Sequence, residues 1–197
     1  MIASHHELAT VREIGAESNT LVFFLSDNGG AAENPKRGLP GSVLGTRESF
    51  EGYAIEGAHV SSGPFRKTKR FTHEGGIATP LIACWPAGIA APQGGRLVRD
   101  PGHLIDLMAT CADLLGVRLP DNAGEDSVSL LPALRGVDAP PRPAVVHHSI
   151  QGMFSIRQGL WKLEFCPGSG GWGKPGDAEA SAQGLPAMQL YDLGTDI

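Results

Sequence analysis

Residues 20–30 read TLVFFLSDNGG. Five apolar residues, 21–25, run without alternation and are rich in β-branched and aromatic side chains. That pattern predicts a strand buried on both faces, in the middle of a parallel sheet. The run stops at Ser26-Asp27-Asn28-Gly29-Gly30. In open α/β sheets a ligand sits outside the carboxyl ends of the strands, and Asp27 and Asn28 fall at that end. Two hard oxygen donors side by side suit calcium or magnesium. Asp-Asn-Gly-Gly is also good turn chemistry, and the residues alone leave both readings open.

The whole chain sets the bounds. It has 197 residues, 41% hydrophobic and 19% charged, a balance that supports a globular core and argues against disorder. Glycine and proline supply 27 and 15 residues, well above the average of about 12%, so long irregular connections are expected. A net charge of −5 gives no support to a nucleic-acid partner or an anionic membrane. No apolar run approaches the length of a membrane span. Residues 1–15 lack the apolar region of a signal peptide. Cys84, Cys111 and Cys166 are far apart with no CxxC spacing. Cys84 and Cys111 lie in apolar sequence and are expected in the core.

Along the chain, Leu8, Val11 and Ile14 predict a short helix over 4–14. Residues 31–62 are rich in breakers and predict a long loop able to drape over the site beyond Asn28. The second informative block is GPFRKTKRFTHEGGIATPLIACWPAG, residues 63–88. Four of the five residues 66–70 are basic. His73-Glu74-Gly75-Gly76 reads as a turn, and PLIACW (80–85) as a second buried strand. Leu104, Leu107, Met108, Cys111, Leu114 and Leu115 recur at helical spacing, and Gly116 ends that run. One short turn of helix is expected over 127–134, then a proline-rich linker at 136–143. Beyond it the pattern is β, at 144–150, 154–157, 160–165 and 189–193, with a hairpin turn at Gln158-Gly159. Residues 167–186 form a glycine- and proline-rich loop. The expected fold class is therefore α/β over residues 1–138, followed by a small antiparallel sheet over 139–197.

The chemistry on offer is limited. Asp27 and Asn28 are candidate cation ligands. Arg66, Lys67, Lys69 and Arg70 offer fixed positive charge for an anion. His73 is a candidate general acid or hydrogen-bond donor. A cation site, a lysine and a histidine suit hydrolysis of a phosphate or sulfate ester. There is no GxSxG, no HExxH and no P-loop. Each feature also has a bland reading, the basic run as a solvated face and the histidine as part of a turn.

Taken together, the blocks resemble the sulfatase family, the arylsulfatase-type enzymes of the alkaline-phosphatase-like superfamily. TLVFFLSDNGG resembles the family's apolar strand ending in Ser-Asp-Asn-Gly. PFRKTKRFTHEGGIATPLIACWPAGI resembles the stretch with a lysine five residues before the glutamate of Glu-Gly-Gly, then a strand ending in Trp-Pro. HLIDLMATCADLLGV is similar to the helix that follows. SIRQGLWKLEF and LYDL resemble the C-terminal hairpin and the start of the closing segment.

The resemblance implies an alkaline-phosphatase-like mixed sheet flanked by helices, with the antiparallel sheet after it. It implies that Asp27 and Asn28 complete a calcium site and that Lys69 contacts the sulfate. His73 lies beside that motif without a firm role, and Lys67 has none to match. The family's nucleophile is a formylglycine, made in a Cys/Ser-x-Pro/Ala-x-Arg motif near the N-terminus. This chain is expected to lack that motif, since Cys166-Pro167-Gly168-Ser169-Gly170 has neither the spacing nor the arginine. The other calcium ligands and the activating residues are expected elsewhere too. The resemblance thus implies the C-terminal portion of a calcium-dependent sulfuric ester hydrolase, incomplete at its last segment and inactive alone. Its partners would be a sulfate-ester small molecule or a sulfated glycan. Two rivals are a phosphoesterase or phosphonate hydrolase of the same superfamily, and a non-catalytic paralogue that binds sulfated glycans.

Overall fold

The apolar run does form a strand, β1 (Val22–Leu25), and PLIACW forms β2 (Leu81–Cys84). The two pair antiparallel, with Val22 opposite Cys84 and Leu25 opposite Leu81. The expected parallel neighbour is thus replaced here by an antiparallel one. The chain leaves β1 at Leu25 and re-enters opposite it at Leu81, so β2 must run backwards. The expected burial on both faces also fails. Phe24 and Ile82 are paired, so they share a face, and they are 56% and 60% exposed. Among the described residues this sheet has only two strands, too few to bury both of its faces. Cys84 and Cys111, expected in the core, are both exposed, whereas Cys166 is buried.

The computed structural model describes every residue except 1, 34–38, 44–45, 50–51, 53, 90–94, 139, 141 and 197. The chain divides into two units, residues 1–25 with 81–142, and 26–80 with 143–197.

The first unit holds β1, β2 and helices α1 (Ile2–Glu13), α4 (Asp106–Leu115) and α5 (Leu131–Arg135). α4 is the helix expected from the repeat of Leu104 to Leu115. Gly116 stops it in a left-handed conformation, φ 65°, that costs glycine little. Its buried face is not the leucine stripe. Asp106 and Thr110, one turn apart, are buried, while Leu104, Met108 and Leu115 are exposed. Asp106 accepts the backbone N–H of His103 at 2.7 Å and of Val128 at 2.9 Å, and pairs with the Arg142 guanidinium. Thr110 donates to the Asp106 carbonyl at 2.6 Å and accepts the Leu130 N–H at 2.8 Å. A polar helix face thus holds the 127–130 strap through charge-assisted and backbone hydrogen bonds.

The second unit contains α2 (Ala54–Ser62), α3 (Glu74–Ile77) and α6 (Asp177–Ala182). α2 lies within the stretch expected to be loop. The antiparallel tail is present as a four-stranded meander, β3 (Val145–His148), β4 (Phe154–Gln158), β5 (Trp161–Glu164) and β6 (Gln189–Asp192), in that order. Gln158 opposes Trp161, so Gly159 and Leu160 form a two-residue turn with Gly159 at φ 58°. In β5 the inward residues are Lys162 and Glu164, and Trp161 faces out. Among the described residues, no helix is long and apolar enough to cross a membrane.

Candidate functional site

Four glycines organise the site, all in the second unit. Gly29 donates to the Gly76 carbonyl at 2.9 Å, and the Lys69 N–H donates to the Gly30 carbonyl at 2.9 Å. A Cβ on Gly29 would stand 1.9 Å from the Gly75 oxygen, and one on Gly30 would stand 2.4 Å from the Ala58 oxygen. Gly75 and Gly76 would meet the carbonyls of Lys67 and Phe71, each at 2.2 Å. The Asp-Asn-Gly-Gly and Glu-Gly-Gly blocks therefore lie backbone against backbone, an approach open only to residues without side chains. Asp27 and Asn28 are carried on one block, and Lys69 and His73 precede the other.

Asp27 is exposed and Asn28 half-buried. Ser26 Oγ donates to the Asn28 carbonyl at 3.0 Å and holds the turn. Both side chains carry hard oxygens, the right kind for calcium. Calcium takes six to eight oxygens, and among the described residues no group of three or more His, Cys, Asp or Glu could hold a metal. The donor set suits calcium in kind but not in number.

The basic segment is bent at two points, Lys67 at φ 70° and Arg70 at φ 88°. Side chains rarely adopt that backbone, and such strain clusters at functional sites. Lys69 Nζ lies 3.4 Å from Glu33 Oε2, and the Arg70 guanidinium 3.3 Å from Glu33 Oε1. One carboxylate is thus shared by both cations and leaves the trio with one net positive charge. Lys67 Nζ stands 5.1 Å from the Phe71 ring centroid, and the Arg66 guanidinium 5.0 Å from that of Tyr191.

His73 is placed differently from a solvent-facing acid. It is 2% exposed, and its Nε2 lies 3.2 Å from Tyr191 Oη. Tyr191 gives its only proton to Gln189 Oε1 at 2.6 Å, so neutral His73 donates through Nε2. Nδ1 is buried with no hydrogen-bond partner among the described residues. Burial, and then the nearby Lys67 charge, lowers the His73 pKa from 6.5 to about 4.

Behind His73 lies a charged quartet, of which Glu74, Lys162 and Glu164 are buried and Arg157 half-buried. Glu74 accepts from Arg157 at 3.0 Å and stands 3.6 Å from Lys162 Nζ. Lys162 donates to Ser155 Oγ at 3.0 Å and stands 3.8 Å from Glu164. Glu164 in turn accepts from the Thr72 hydroxyl. Desolvation by burial lowers the Lys162 pKa and raises that of Glu164. The quartet ties β4 and β5 to the segment bearing Lys69 and His73. Its sequence signal was the Lys-x-Glu alternation of WKLE. Glu33 carried none.

The chain does not wholly lack the spacing of the nucleophile motif, contrary to expectation. The bare Ser-x-Pro-x-Arg spacing does occur, at Ser62-Gly63-Pro64-Phe65-Arg66. Ser62 closes α2, is buried, and its Oγ accepts the Gly30 N–H at 3.0 Å. That hydroxyl is engaged in holding Gly30 against α2.

The family model of the sulfatases matches residues 8–117, more than half of the chain. The chain belongs to the sulfatase family. It is 30% identical over 166 residues to the N-acetylgalactosamine-6-sulfatase of Canis lupus familiaris, covering 84% of this chain and 27% of that enzyme. It is 32% identical to arylsulfatase A of Bos taurus, over 80% of this chain and 27% of the relative. Among solved structures, one described with the metabolism of multiple glycosaminoglycans by Bacteroides thetaiotaomicron superposes with a TM-score of 0.65 at 25% identity. It covers 96% of this chain and 36% of its own. A sulfatase from Pseudoalteromonas sp. gives 0.58 at 26% identity, covering 97% and 32%. This sulfatase chain therefore spans between about a quarter and a third of the length of the relatives and structures it matches. Its likeness to those structures places it in the alkaline-phosphatase-like fold.

Proposed function

We propose that the protein serves the hydrolysis of sulfate esters on a glycan, and that these residues form the sulfate-holding part of the site. The observation that carries this is the backbone junction of Gly29 and Gly30 with residues 69–76, which brings Lys69 beside the Asp27-Asn28 turn. Lys69 would meet a sulfate oxygen and offset the charge that grows there as the ester bond breaks. Asp27 and Asn28 would supply two of the calcium oxygens, and calcium, when bound, would offset sulfate charge. Glu33 holds the Lys69 ammonium in the absence of an anion. His73 would act as a positioning residue, fixing Tyr191 and the chain around Lys69, since its burial keeps it neutral and away from solvent. A glycan substrate is supported by the names of the N-acetylgalactosamine-6-sulfatase relatives.

Alone, the chain is expected to bind without turnover. Ser62 is tied to Gly30, and the described residues offer too few metal ligands. Binding of 6-O-sulfated N-acetylgalactosamine and of its unsulfated form, followed by saturation-transfer NMR, tests the proposal. The sulfated sugar should bind measurably more tightly. Equal binding of the two would overturn it.

A further inference from the structure

A cleft of about 430 Å³ opens in the second unit, a size that suits a small ligand. Its lining combines Trp172 and Met153 with Gln151, Lys174, Asp177 and Glu179. Trp172 is 55% exposed. A large apolar ring left in water forgoes the burial that normally stabilises it. Yet the backbone that presents the ring is fixed on both sides. A Cβ on Gly171 would stand 2.4 Å from the Arg70 oxygen, and one on Gly173 would stand 2.2 Å from the Phe71 ring. Gly173 donates to the Arg70 carbonyl at 3.1 Å, and Thr72 to that of Ser169 at 3.2 Å. Asp177 Oδ1 accepts from the N–H groups of Gly168 and Gly170 at 3.1 and 3.2 Å. The loop is thus preorganised, held to the residue directly after Lys69, with its indole turned out into the cleft.

The charges in the cleft decide what it takes. One ammonium faces two carboxylates, Asp177 and Glu179, so the lining does not favour a second anion. An apolar surface beside an amide, a carboxylate and an ammonium matches a ligand with one C–H face and a rim of hydroxyls. We propose that this cleft binds an uncharged pyranose unit of the glycan, next to the sulfated unit held by Lys69. The inference rests on the glycan reading above for its substrate class, and on the cleft alone for its chemistry.

The test uses an unsulfated N-acetylgalactosamine-containing disaccharide and the 197-residue chain. Saturable binding is expected, insensitive to added salt because no ion pair forms. Trp172→Ala should weaken it at least about tenfold, and Trp172→Phe should retain most of it. Near-ultraviolet circular dichroism confirms that both variants are folded. No binding of the disaccharide, or equal binding by folded Trp172→Ala, would overturn the cleft, even where the sulfated monosaccharide binds. Trp172-dependent binding to which sulfate adds nothing would uphold the cleft and count against the role of Lys69.

Discussion

Replacing Lys162 by Met should cost the protein a large part of its stability. Lys162 is 1% exposed, and so are its partners within a few per cent, Glu74 at 4% and Glu164 at 0%. With Arg157 the four form a neutral set of two cations and two carboxylates. Removing the ammonium leaves one buried negative charge without a counterion. Breaking a buried pair in this way typically costs about 3–5 kcal/mol. Against a total stability on the order of 5–15 kcal/mol, that is roughly a fifth or more. With a urea slope of about 2 kcal/mol per molar, the midpoint should fall by roughly 1.5–2.5 M. Urea unfolding followed by tryptophan fluorescence reads this directly. The double variant Lys162→Met/Glu164→Gln should recover part of the loss, because it removes charge from both sides. A single-variant loss under about 1 kcal/mol would show that the quartet is not the buried, mutually neutralising set described here.

Three further outcomes follow from the same geometry. His73 has its pKa depressed from 6.5 to about 4, so its stabilisation is present above pH 6.5 and is lost as pH falls towards 4. At 1.36 kcal/mol per pH unit this is at most about 3 kcal/mol. The wild type should lose that much more than His73→Leu between pH 7 and 4 in urea titrations, and parallel curves would contradict it. Glu33→Gln should raise sulfate affinity up to about fivefold at low salt, because exposed pairs of this kind are worth about 0.2–1 kcal/mol. Calorimetric titration with sulfate checks this, and unchanged or weaker binding would contradict it. Gly75→Ala should destabilise by about 1–3 kcal/mol or more, since its Cβ meets backbone oxygens of Arg66 and Lys67. A thermal midpoint equal to the wild type would show that the junction can relax.

Local punctuation and strand pattern were legible in the sequence. The glycine of Gln158-Gly159 marked the hairpin turn, and the repeat of apolar residues found α4. What failed was the choice of face. In β5 the charged Lys162 and Glu164 take the inward positions and Trp161 faces out, because Glu74 from α3 lies there to pair with Lys162. The same inversion puts Asp106 and Thr110 inside α4. A hydrophobic pattern ranks residues by their cost in an apolar interior. It holds no information about a distant charge partner such as Glu74, which also pairs with Arg157, 83 residues away. The glycines of both site blocks were visible as turns. Their role as contact points depends on the opposite backbone, which no single stretch reveals. Glu33 was hidden for the same reason, since its partners Lys69 and Arg70 lie in the second block.

Lys69 is the residue proposed to receive the sulfate. The direct test is the affinity of the chain for 6-O-sulfated N-acetylgalactosamine, in wild type and in Lys69→Ala, at low ionic strength. A hydrogen bond to a charged group is worth about 1.5–3 kcal/mol, so affinity should fall roughly tenfold to a hundredfold. Equal affinity in the two folded proteins would contradict the assignment of Lys69.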